Sequence, residues 1–104
     1  MSAVNAARGE AGFALGERTL IVRPSFAALV AAEDELGPLL ALADRAAEEG
    51  RLTLAEMTAL IWHCLVERDG LTRDAVGEAL VAQGVGAALP AVRAILRQVL
   101  SGSA

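Results

Sequence analysis

The 104-residue chain is 55% hydrophobic and 21% charged, but 23 alanines leave 34 apolar side chains large enough to build a core, which suits a single domain. Nine arginines, no lysine and thirteen acids give a net charge of -4, the wrong sign for a face that displaces counterions from a phosphate backbone, so no nucleic-acid partner is expected. No run approaches the roughly 18 to 20 apolar residues that cross a bilayer, MSAVNAARGEAG lacks the apolar core of a secretion signal, and a lone cysteine, Cys64, excludes an intrachain disulfide; a cytoplasmic protein with no membrane partner is expected.

Residues 1–8 have no hydrophobic period and read as a disordered tail, leaving one domain over 9–100 and a disordered end at 101–104. From Glu10 to Arg23 the apolar pattern has period two, and Gly16-Glu17 fits a two-residue type II′ turn. That turn sets Leu15 against Arg18, Phe13 against Leu20 and Ala11 against Val22, with Phe13, Leu15, Leu20 and Val22 on one face. A lone hairpin is marginal in water, so this face must lie on helices. Ser25 caps a helix from Phe26 to about Leu36, which Gly37-Pro38 stops; a second runs from Leu39 to Glu49, with Gly50 as its left-handed cap. Thr53-Leu54-Ala55-Glu56 is a capping box opening a third helix of sixteen residues, the longest element, which Gly70 closes after Asp69. Thr72 caps a fourth helix ending near Gln83. After the Gly84-Val85-Gly86 break a fifth begins near Ala87 to Leu89, keeping Pro90 in its first turn, and ends near Leu100. The fold class is therefore α+β, predominantly helical: an N-terminal β-hairpin packed on a small bundle of four to five helices.

The third helix carries two apolar stripes, Leu54, Met57, Leu60, Ile61, Cys64 and Leu65 in one, and Ala55, Ala59, Trp62 and Val66 in the other. Such a helix is either central and covered on both sides, or offers its second stripe to a partner. On the first helix Glu33 shares a stripe with Phe26, Leu29, Val30 and Leu36; it needs a solvent edge, an arginine such as Arg23, Arg45 or Arg51, or another protein chain. His63, Glu67 and Glu56 form a polar strip that reads as solvated surface, because metal centres need a denser set of ligands. Cys64 reads as a small buried hydrophobe. No phosphate loop, calcium loop or nucleophile–base pair is present, so no catalytic, cofactor-binding or metal-binding residue is assigned.

Beyond these faces, the order of signals is informative: a short hairpin, then Pro24-Ser25-Phe26-Ala27-Ala28-Leu29 and Glu33-Asp34-Glu35-Leu36-Gly37, Gly50-Arg51-Leu52-Thr53-Leu54, Gly70-Leu71-Thr72, and Leu89-Pro90-Ala91-Val92. Over residues 9–100 this resembles the small proteins of gene transfer agents and related phages classed as tail assembly chaperones, in places called tail tube proteins. The resemblance implies a non-enzymatic protein that binds the tape-measure protein, and other tail components, during tail assembly and leaves the finished particle. Such a chaperone must offer apolar surface to helical client segments. The second stripe of the third helix, with Trp62, Val66, Ala55 and Ala59, is the first candidate surface. The hairpin is the second, because its edge could accept another strand and support a homo-oligomer, and its outer face exposes Ile21. Glu33 is a third contact candidate. A different class also fits: a small acidic adaptor or regulatory domain binding one folded partner through Glu33, Asp34 and Glu35, weakened by salt. Only about fourteen residues read as strand, which suits poorly a tube wall built from sheets closed into rings.

Overall fold

A computed structural model describes residues 4–5 and 9–102. Two antiparallel strands, β1 (Ala11–Leu15) and β2 (Arg18–Val22), precede five helices: α1 (Phe26–Leu36), α2 (Leu39–Glu49), α3 (Leu54–Cys64), α4 (Arg73–Gln83) and α5 (Val85–Leu100). The fold is α+β and helix-dominated. The hairpin register is Ala11 with Val22, Phe13 with Leu20 and Leu15 with Arg18. Gly16 supplies the turn's positive φ of 62°, and no non-glycine among the described residues has one, so Glu17 follows as a type II′ turn requires.

The caps expected from sequence form the first turns. Ser25 Oγ accepts the Ala28 amide at 3.2 Å, Thr72 Oγ1 accepts that of Ala75 at 3.0 Å, and Thr53 and Glu56 complete their reciprocal box. The core gathers around α3, whose Leu60 and Ile61 are fully buried among Phe13 and Val22 of the hairpin, Leu39 of α2, Leu80 of α4 and Ile95 of α5.

Three expectations fail for identifiable reasons. The third helix stops at Cys64 after eleven residues, and the longest element is α5 with sixteen. Leu65 turns extended (φ -64°, ψ 130°) and pairs with Val22. The Arg23 amide donates to the Cys64 carbonyl at 2.7 Å, and the Val66 amide to that of Ile21 at 3.0 Å. Leaving the helix lets Leu65 bury against the hairpin while satisfying the β2 edge, a tertiary gain that outweighs another helical turn. The fifth helix starts at Val85, two residues before the earliest start expected, with Gly84 alone as the break, so Pro90 is its sixth residue and one i−4 bond is missing. Both Pro90 and Gly86, whose carbonyl loses its donor, are exposed, so water can replace the bond. Finally, α1 is rotated relative to the expected stripe: Ala32 is buried with Ala28, Leu29 and Leu36 around it, whereas Phe26 is 84% exposed and Val30 39%.

At the start of the chain, residues 1–3 and 6–8 of the expected tail lie outside the described residues. Asn5 is tied to the domain, exchanging bonds with Glu10, whose buried carboxylate also accepts Arg23 Nε at 2.6 Å. At the other end, Ser101 and Gly102 donate to the last carbonyls of α5, and residues 103–104 of the expected disordered end lie outside the described part.

Candidate partner-binding surfaces

The second stripe of the third helix does not survive as one surface. Ala59 is fully buried, Trp62 is half-buried against the core with the Arg68 guanidinium 5.2 Å from its ring centroid, and Ala55 is exposed towards α4. Val66 lies beyond the helix end, 45% exposed. The same early stop brings Val66 beside Ile21, and the two line a small depression of about 200 Å³ with Arg18 and Glu67. Two of the residues singled out in the sequence thus meet, through a chain path that helical periodicity could not reveal. The hairpin edges are occupied in part. On β2 the edge holds Cys64 and Val66, and on β1 the outward Ala14 carbonyl accepts Gln83 Nε2 at 2.9 Å. Ile21 itself is half-buried.

Glu33 takes none of the arginines suggested for it. Its Oε2 accepts the Leu39 amide at 3.0 Å, capping α2, whose N-cap residue Pro38 has no side-chain acceptor. Arg23 pairs with Glu10, Arg45 with Glu56 and Arg51 with Glu49. Glu35 is also held within the molecule: His63 Nε2 donates to Oε1 at 2.9 Å and Arg73 Nη1 to Oε2 at 2.6 Å, joining α1, α3 and α4. Hydrogen bonds from Arg73 and His63 pull the Glu35 pKa down to about 2. Of the acidic rim Glu33, Asp34 and Glu35, two carboxylates therefore serve the fold.

The polar strip expected on the third helix is likewise broken up, since Glu67 falls past the helix end. Among the described residues no group of three or more His, Cys, Asp or Glu could hold a metal ion. Burial pushes the Cys64 thiol up to about 12, so it carries no thiolate at neutral pH. No helix is long and apolar enough to cross a membrane among the described residues.

Two of the larger concavities lie between pairs of helices. One of about 630 Å³ lies between α3 and α4, lined by Ala55, Thr58, Gly77 and Val81 with Glu35, Asp74 and Glu78 around it. The other, of about 510 Å³, runs between α2 and α5 over Met57 and Leu52. Its α2 wall is alanine, Ala43, Ala46 and Ala47, and its α5 wall is Leu89, Val92, Leu96 and Leu100, with Arg93 and Arg97 the charged residues that line it. Sequence reasoning missed this groove, which needs the α2–α5 pairing. One available signal was that the sixteen residues of α5 include two arginines four apart and no carboxylate.

No curated protein and no solved structure matches the chain significantly. A family model does match, over residues 8–102, taking in the hairpin, all five helices and the capping signals between them. The chain belongs to the family described as phage tail tube protein, GTA-gp10, and its role is accordingly one related to the tails of phages and gene transfer agents.

Proposed function

We propose that this protein is a non-enzymatic tail assembly chaperone, acting in the bacterial cytoplasm on the tape-measure protein and absent from the finished particle. The observation that carries the reading is the scarcity of usable sheet in a tail-family protein. Among the described residues two five-residue strands form the sheet, with the β2 edge bonded to Cys64 and Val66 and the Ala14 carbonyl bonded to Gln83. A tube wall closes sheets from neighbouring subunits into a ring and needs free strand edges to do so. Exposed apolar side chains, among them Phe26, Val81 and Leu100, are what a protein that shields an aggregation-prone helical client would present. The acidic-adaptor alternative draws less support, since Glu33 and Glu35 are engaged within the fold.

The test is co-expression with the tape-measure protein of the same gene cluster, followed by size-exclusion chromatography with light scattering, and mass spectrometry of purified particles. The expected result is co-elution, a more soluble client and particles that lack this chain. A client whose solubility is unchanged, together with this chain at tube stoichiometry in particles, would make it a wall component instead.

A further inference from the structure

The groove between α2 and α5 has a specific electrostatic character. Arg23, Arg45, Arg51 and Arg73 are all in ion pairs, and Arg68 lies over Trp62. Arg93 and Arg97, one turn apart on α5, are exposed and form no ion pair among the described residues. No carboxylate lines the groove, although the chain as a whole carries -4. An apolar trough bordered by two unneutralised guanidiniums is complementary to an apolar stripe bordered by carboxylates.

The dimensions favour a helix as the bearer of that stripe. Val85 and Leu100, at opposite ends of α5, both line the groove and are 37% and 53% exposed. At 1.5 Å per residue they are about 22 Å apart, roughly four helical turns. Alanines along the α2 wall leave space that leucines would have filled. A partner helix with apolar residues at i, i+3, i+4 and i+7 would lie along the trough, and Glu or Asp four apart on its border would meet Arg93 and Arg97.

We infer that the α2–α5 groove is a docking site for an acidic-bordered amphipathic helix of a partner protein. The identification of that partner with the chaperone's client rests on the function proposed above; the chemistry of the groove does not.

The probe is a synthetic helix of about 18 residues with leucines on one stripe and glutamates along its borders, and a twin with lysines in place of the glutamates. Binding of the labelled peptides is followed by fluorescence anisotropy, and the site by amide chemical shifts of the ¹⁵N-labelled protein. The glutamate peptide should bind, perturb the amides of Val85–Leu100, and weaken with added salt. The double variant Arg93→Glu/Arg97→Glu, both sites exposed and compatible with an unchanged fold, should weaken the glutamate peptide about tenfold or more and strengthen the lysine peptide. Failure of the glutamate peptide to bind, equal binding of both peptides, or shifts centred on the α3–α4 concavity would overturn the inference. So would a dimer of the protein alone that the double variant dissolves, since a second copy would then fill the groove. A double variant that still co-elutes with the tape-measure protein refutes the groove as the client's site and leaves the chaperone reading standing. Peptide binding without any tape-measure complex does the reverse.

Discussion

Glu33 sits at the junction of two helices that a glycine and a proline force apart. Gly37 leaves α1 with a φ of 83°, and Pro38 can neither donate an amide nor offer a side chain to the free N–H groups of α2. The carboxylate reaches over from the last turns of α1 to accept the Leu39 amide, where the positive end of the α2 dipole also favours its charge. This explains its place among Phe26 and Val30: that edge of α1 faces outwards, so Glu33 is never buried among them. Replacing it with alanine leaves the amide to water and should cost about 1 kcal/mol, the usual worth of a helix cap. Urea denaturation would register that as a lower midpoint at unchanged slope. A variant as stable as the parent would show that the bond contributes nothing in solution.

At the scale of elements, what was legible in the sequence was local. The Gly16-Glu17 turn dictates the hairpin register, and Ser25, Gly37-Pro38 and Gly50 bound α1 and α2, because each signal acts within a few residues of its effect. The end of α3 was not legible. Nothing between Cys64 and Asp69 breaks a helix; the competing partner is the β2 edge, some forty residues earlier in the chain, and only the assembled fold brings it there. The candidate surfaces follow the same division. Ile21 and Val66 were visible as apolar residues but not as neighbours, and the α2–α5 groove requires a helix pairing that no local pattern encodes. At the onset of α5 the helix accommodates a proline beyond its first turn. Pro90 forgoes a bond to Gly86 at an exposed position, where water can replace it. Pro90→Ala restores that bond and removes the ring's clash with the Gly86 carbonyl, and this should outweigh the added freedom of the unfolded chain. The expected gain is about 1 kcal/mol, seen as a higher thermal midpoint. A fall in the midpoint would mean that the proline, not the helix, is fixing the α4–α5 corner.

Across the whole molecule, one ionic cluster connects parts that are distant in sequence. Glu35 on α1 receives His63 from α3 and Arg73 from the first turn of α4, so three helices meet at one carboxylate near the rim of the α3–α4 concavity, with Asp74 and Glu78 also lining it. Its pKa of about 2 in the folded chain lies below the ordinary value of 4.5. A carboxylate with a depressed folded pKa contributes stability that is fully present above its unfolded pKa and is lost as pH falls through the folded one. The window here therefore runs from about pH 4.5 down to about pH 2. The side chain is 38% exposed, so solvent screening makes the contribution smaller than the shift alone would suggest. Glu35→Gln keeps the shape and an acceptor oxygen while removing the charge, which isolates the electrostatic part. Urea midpoints of parent and variant should differ most near neutral pH and converge as the pH drops towards 2, because protonation then makes the parent carboxyl as neutral as the amide. A gap that stays constant across that range would assign the cluster's worth to geometry and packing, and would leave the union of α1, α3 and α4 to their apolar faces.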